Sequence, residues 1–213
     1  MDKLLRGVKD FQENVFESLK DTFDTLAKGQ QPETLFITCS DSRIDPNLVT
    51  QTKPGELFVI RNAGNMIPPY SPSSATGEAA TVEYAVSALG VKEIIVCGHS
   101  QCGAMGGLLD LGNLDALPTV KAWLGNAAST LSTVKQKYPD ATGDDLLAHT
   151  IQSNVLAQLD NLRTHPSVAA AVATGSLKLT GWVYRFETGE VFRYDEESRL
   201  YTTVFGGDGD LLA

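Results

Sequence analysis

Apolar positions open the chain in a helical rhythm. Leu4, Leu5, Val8, Phe11, Val15, Phe16, Leu19, Phe23 and Leu26 fall near a 3.6-residue period, with Lys, Asp and Glu between them. The spacing predicts a helical arm over residues 1–29, closed by Gly29 and joined onward by Gln30-Gln31-Pro32. Its broad stripe suits packing on the parent domain or on a second subunit. The rhythm then changes to short apolar, β-branched runs. A first buried strand is expected at 34–39 and a second at 57–60, with a third at 93–97. Asp45-Pro46 reads as an N-cap and first helical position, and Pro54-Gly55 as a turn. Residues 61–65 form a small-residue loop, and 68–74, rich in Pro and Ser, a longer one.

Helical patterns return at 75–89, stopped by Gly90, and at 118–138 and 144–163. The last of these carries Ile151, Val155, Leu156, Leu159 and Leu162 on one face. The Ala-rich piece 167–174 adds a turn or two. Residues 177–186 alternate as a strand, Thr188-Gly189 turns, and 190–194 return as a hairpin partner. Strands separated by helices predict an α/β fold with a mainly parallel central sheet flanked by helices. The expected layout is one domain over 1–213: an N-terminal helical arm at 1–30, a core at 31–205 ending in the C-terminal β-hairpin, and a frayed tail at 206–213.

Composition narrows the function. A length of 213 residues suits one well-buried domain. A net charge of −9 argues against nucleic acid as a partner, because phosphate binding needs a basic face. No run has the length of a membrane span, and the charged N-terminus lacks the apolar centre of a signal peptide. Three cysteines are too few for a disulfide scaffold and point to metal binding or catalysis in a reducing compartment, with the cytoplasm expected.

The candidate chemistry sits at two strand ends. Cys39-Ser40-Asp41-Ser42-Arg43 follows the first strand, and His99-Ser100-Gln101-Cys102-Gly103 follows the third. In an open α/β sheet both ends can share one edge, where ligands bind. Singly, Cys39, His99 and Cys102 each have a plain structural explanation. Together, two thiolates and an imidazole make a three-ligand zinc set with an open fourth position, the pattern of a catalytic metal. Asp41 is expected to point into that pocket and orient the metal-bound water, with Arg43 holding it ionised. The plainer alternative is a surface ion pair in a solvated turn. Cys97 reads as a small buried hydrophobe, and His149 and His165 as structural or surface residues. Gly98 to Cys102 lacks the closing glycine of a serine-hydrolase elbow, and Ala104-Met105 replace the Lys-Ser/Thr of a phosphate loop.

These motifs, with the run from Gly55 to Asn65 (Gly-Glu-Leu-Phe-Val-Ile-Arg-Asn-Ala-Gly-Asn), resemble the β-class carbonic anhydrases, most closely the plant-like and cyanobacterial branch. The resemblance spans nearly the whole chain. It implies reversible hydration of CO2 to bicarbonate and a proton by a zinc-bound hydroxide, with one zinc on Cys39, His99 and Cys102. It implies that Asp41 and Arg43 form the catalytic dyad, and that Gln30, Phe58, Ala63, Tyr84 and Gly103 line the substrate pocket. Phe36 and Thr38 stand where the branch with an inhibitory bicarbonate site has Trp and Gly. A homodimer or higher homo-oligomer, with N-terminal arms embracing the partner, is also implied. Its expected place is the cytoplasm, with a carboxysome or organelle as alternatives. Three alternatives stand beside this reading: a carbonyl sulfide or carbon disulfide hydrolase on the same fold, a non-catalytic bicarbonate-binding subunit, and a metal-free redox site.

Overall fold

The computed structural model describes residues 2–73, 75–205 and 211. Its arm winds as α1 (Asp2–Asp10), a π-helical turn (Phe11–Val15), a 3-10 turn (Phe16–Leu19) and α2 (Lys20–Leu26). The expected single helix therefore changes pitch where Phe11, Phe16 and Phe23 gather, with Phe16 and Phe23 stacked at 5.5 Å. None of its described residues is buried, and Leu4 is 77% exposed. The arm touches the core where the Leu26 side chain lies over Gly55.

The core is a six-stranded sheet in the order β2-β1-β3-β4-β5-β6. Its strands are β1 (Thr34–Cys39), β2 (Leu57–Asn62), β3 (Glu93–His99), β4 (Lys178–Tyr184), β5 (Val191–Asp195) and β6 (Leu200–Thr203). The first four are parallel, and β5 and β6 are antiparallel additions. Leu35, Phe36 and Ile37 are fully buried, which fits a β1 covered on both faces near the middle of the sheet. From β1 the chain crosses to β2 on one side and then to β3 on the other. The crevice at the carboxyl ends of β1 and β3 is thus a topological switch point. The register sets Cys39 opposite Asn62, Thr38 opposite Cys97, and His99 opposite Tyr184.

Helices complete the layers: α3 (Pro46–Thr50), α4 (Gly77–Glu83), α5 (Gly103–Leu109), α6 (Pro118–Leu124), α7 (Ala128–Lys137), α8 (Gly143–Arg163) and α9 (Pro166–Ala173). Asp45 caps α3 by accepting from the Asn47 and Leu48 N–H groups, as expected from its place before Pro46. Helix α4 runs on through a π-helical turn and stops at Gly90, whose φ of +67° an L side chain rarely adopts. The expected helix 118–138 is interrupted by a 3-10 turn at Gly125–Ala127. Strands β2 and β3 each run two residues past their expected ends. Strand β6 was not expected, because four residues after an Asp195–Ser198 turn carry no period of their own. Pairing with β5 makes it a strand. The expected frayed tail lies outside the described residues, Leu211 excepted.

Helix α8 crosses β3 and β4 with Ile151, Val155, Leu159 and Leu162 buried against the sheet. Leu156 is only partly buried beside them. Gly98 on β3 and Gly181 on β4 make the notch that admits Val155. A Cβ at either glycine would come 2.9 Å from a Val155 methyl. On the other face Phe36, Ile44, Ile95 and Cys97 form a smaller cluster, flanked by Trp182, Tyr184 and Phe186. Overpacking that notch is expected to be costly. Gly181→Ala should lower stability by about 1–3 kcal/mol in urea unfolding, and an unchanged midpoint would contradict this account of α8.

Candidate metal centre

Cys39 leaves the end of β1 and His99 the end of β3, two neighbouring parallel strands. Gln101 then adopts a left-handed conformation (φ +51°) and turns the chain so that Cys102 stands immediately before α5. The three ligand atoms lie within 4.8 Å of one another, and all three residues are buried. His99 Nδ1 sits 2.8 Å from the Ser100 carbonyl, which can only accept, so Nδ1 carries the proton. Nε2 is left with its lone pair, buried and without a hydrogen-bond partner among the described residues. A buried, unpaired nitrogen is costly, and a ligated one is not.

The two sulfurs reinforce this. A hydrogen bond from Cys102 holds the Cys39 thiol well below its ordinary pKa against the opposing effect of burial, and the adjacent His99 ring and the Gly64 N–H assist. The same bond, with burial, drives Cys102 upward. Two thiols in contact therefore share one proton, and a cation that replaces it allows both to be thiolates. Two sulfurs and one imidazole nitrogen suit zinc. Cys97, two residues upstream of His99, is wholly buried in the cluster on the other face. Burial pushes its thiol up to about 12, the behaviour of a small hydrophobe.

Asp41 and Arg43 form a bidentate pair, with Arg43 Nε and Nη2 donating to the two carboxylate oxygens at 2.9 and 2.8 Å. The Arg43 hydrogen bonds hold the Asp41 carboxyl far below the usual carboxylate range. Its Oδ2 lies 4.0 Å from His99 Nε2, at the mouth of the ligand cluster. Arg43 also donates to the Gln101 carbonyl and lies over the Phe186 ring at 4.6 Å. That ring covers His99 as well, at 4.8 Å. Phe186 keeps its place because its N–H donates to Ser100 Oγ, which in turn donates to Glu187. Arg61 fixes the turn from behind, donating to the carbonyls of Cys39 and Asp41 at 3.0 and 2.7 Å. Sequence reasoning gave Arg61, Phe186 and Ser100 no role, since each acts through contacts made only in the fold.

The other expected residues divide into two groups. Ala63 and Gly103 adjoin the ligands, Ala63 through its peptide bond to Gly64 and Gly103 as the residue after Cys102. Phe58 and Tyr84 lie together, ring centroids 6.0 Å apart, but elsewhere. Phe58 stands opposite Leu35, four residues before the Cys39–Asn62 row, or roughly 13 Å back along the strand. Gln30 is exposed, ahead of β1 at that same far edge. One chain thus does not bring Gln30, Phe58 or Tyr84 to its own ligand cluster. His149 stacks on Tyr138 at 3.6 Å, and His165 bonds the Pro68 carbonyl, so both are structural as expected.

Comparison with known proteins gives one consistent answer. The family model described as carbonic anhydrase matches residues 34–191. A carbonic anhydrase of Synechocystis sp. is 50% identical over 196 residues, covering 92% of this chain and 71% of that one. The solved β-carbonic anhydrase CcaA superposes with a TM-score of 0.93 at 48% identity, over 95% of this chain and 98% of that one. A tetrameric β-carbonic anhydrase of Sordaria macrospora is 30% identical with a TM-score of 0.71, covering 90% and 92%.

Proposed function

The chain belongs to the β class of the carbonic anhydrase family, and from that premise we propose how its own residues divide the work of the family's reaction. That reaction is the reversible hydration of CO2 to bicarbonate and a proton, and the family is zinc-dependent. The alternatives of sulfide hydrolysis, passive bicarbonate binding and metal-free redox chemistry are not favoured by this membership.

We propose that Cys39, His99 and Cys102 hold the zinc. The observation that carries this is the buried triangle of ligand atoms with a free His99 Nε2. Zinc, when bound, supplies Lewis acidity that makes a nucleophile of water, the chemistry for which carbonic anhydrases are the standard example. Asp41 is the orienting acceptor. Fixed by Arg43 and facing the mouth of the cluster, its carboxylate takes a hydrogen bond from the attacking oxygen and aims a lone pair at the carbon of CO2. Arg43 keeps that carboxylate ionised and in one rotamer, and Phe186 keeps Arg43 in place. Water and CO2 give bicarbonate, and one proton leaves to solvent.

The substrate wall calls for a second copy. We propose a homodimer in which the Phe58–Tyr84 pair and Gln30 of one protomer line the pocket of its partner, beside the partner's own Ala63 and Gly103. The exposed Leu4, Leu5 and Val8 of the arm support this, since a second chain would cover them. The whole chain then acts as one domain, with 1–30 as the arm and 31–205 as the core. Its three free, buried cysteines fit the cytoplasm. Among the described residues no helix is long and apolar enough to cross a membrane.

Two thiolate ligands leave the metal core formally neutral, so turnover should climb from neutral to alkaline pH. Asp41, ionised well below that window, sets no limb of the profile. In stopped-flow assays at constant zinc content, Asp41→Asn should lose about 100-fold or more in kcat. A flat profile, or native turnover in Asp41→Asn, would sink this assignment. Subunit sharing has its own test. Mixing Asp41→Asn with Phe58→Ala chains should regain activity that neither homodimer shows, because one pocket of the mixed dimer is intact. No gain on mixing would mean that Phe58 does not serve a partner's pocket.

A further inference from the structure

The loop after β2 passes beside the Cys39 sulfur, and side chains from distant helices hold its backbone. The Gly64 N–H donates to Cys39 Sγ at 3.4 Å. The carbonyl of that same peptide unit belongs to Ala63, and it accepts the Trp123 indole N–H at 2.8 Å. Every peptide bond described is trans. In a planar trans peptide the C=O and N–H point in opposite directions, so a donor that fixes one aims the other. Trp123 stands on α6 and is sixty residues from its acceptor.

The next peptide is tied as well. The Gly64 carbonyl accepts from the buried Asn154 Nδ2 on α8 at 2.9 Å, and Asn154 is braced by Gln158 at 2.9 Å. Gly64 has a φ of +86°, and a Cβ there would lie 2.9 Å from Met105 Cε and 3.1 Å from Ala104 Cβ. The loop is therefore pressed against α5 on one side and tethered by α6 and α8. Little freedom remains for the Ala63–Gly64 peptide except rotation about its own axis, and the Trp123 bond removes that.

An N–H aimed at a ligand sulfur draws on the lone pairs that the sulfur shares with a metal. Partners beyond the ligands tune a metal in this way. The effect matters most where two thiolates already make the metal a weak Lewis acid. We propose that Trp123 is a positioning residue for the metal centre: by holding the Ala63–Gly64 peptide it aims the Gly64 N–H at Cys39 and limits electron donation from that sulfur. The inference rests on the metal assignment made above.

Cobalt(II) in place of zinc gives the test, since its thiolate-to-metal charge-transfer absorption reports sulfur donation directly. Trp123→Phe keeps an aromatic ring at a half-buried position and deletes the N–H. At equal loading it should move the absorption to lower energy. The Gly64 amide proton of the zinc protein should move upfield in the same variant. Trp182→Phe is the control, because the Trp182 indole nitrogen has no partner among the described residues, and it should leave the absorption unchanged. An unshifted absorption in Trp123→Phe would overturn the inference, even with weaker binding, since Trp123 would then be only structural. If wild-type protein with cobalt shows no charge-transfer absorption at all, the metal assignment itself falls.

Discussion

Three donor atoms gathered out of water at one place are the constraint on which this structure depends. Burying an imidazole nitrogen without a partner, beside two thiols that share one proton, costs free energy that hydrophobic burial elsewhere must offset. The chain accepts that cost at one place, the shared edge of β1 and β3. There the Ser100 carbonyl fixes the His99 tautomer, the left-handed Gln101 returns Cys102 to its neighbours, and Phe186 closes the top. These details are consistent with a cluster built to exchange a shared proton for a metal ion. The same edge carries Asp41 at its mouth, so the acceptor and the ligands are placed by one strand register.

Packing behind the site serves that register. Val155 seats α8 in the notch of Gly98 and Gly181, which holds β3 and β4 at fixed height. From this helix the buried Asn154 and Gln158 and the half-buried Asn161 reach forward as an amide ladder to Gly64 and Ile67. Those amides are the polar interior of an otherwise apolar face, and each is satisfied by loop backbone. A helix seen from the sheet as a hydrophobic support is, seen from the loop, the frame that sets the backbone beside Cys39. Slippage of α8 would therefore be felt at the ligand cluster as well as in the core.

Much of this was legible in the sequence, for a physical reason. Cys39, Asp41, Arg43, His99 and Cys102 follow runs too apolar to be anything but buried strands, and parallel strands bring their carboxyl ends to one edge. Arg43 also pairs with a residue two positions away, so local chemistry sufficed. Strand β6, the pitch changes in the arm, and the roles of Arg61, Phe186, Trp123 and Asn154 were not legible. The arm's pitch changes follow ring contacts among Phe11, Phe16 and Phe23, and the others depend on a partner tens of residues distant or on a neighbouring strand that supplies the pattern the segment lacks. Phe58 and Tyr84 show a different limit. Resemblance suggests their role, yet pairing opposite Leu35 sets Phe58 at the wrong end of the sheet for its own chain, and no period in the sequence says which end a residue will face.

The central claim is that Cys39, His99 and Cys102 form one metal site with a position left for water. X-ray absorption at the zinc edge of the loaded protein reads that shell directly. The account predicts two sulfur neighbours and two nitrogen or oxygen neighbours per zinc. A shell of four sulfurs, or one with no sulfur, would contradict it.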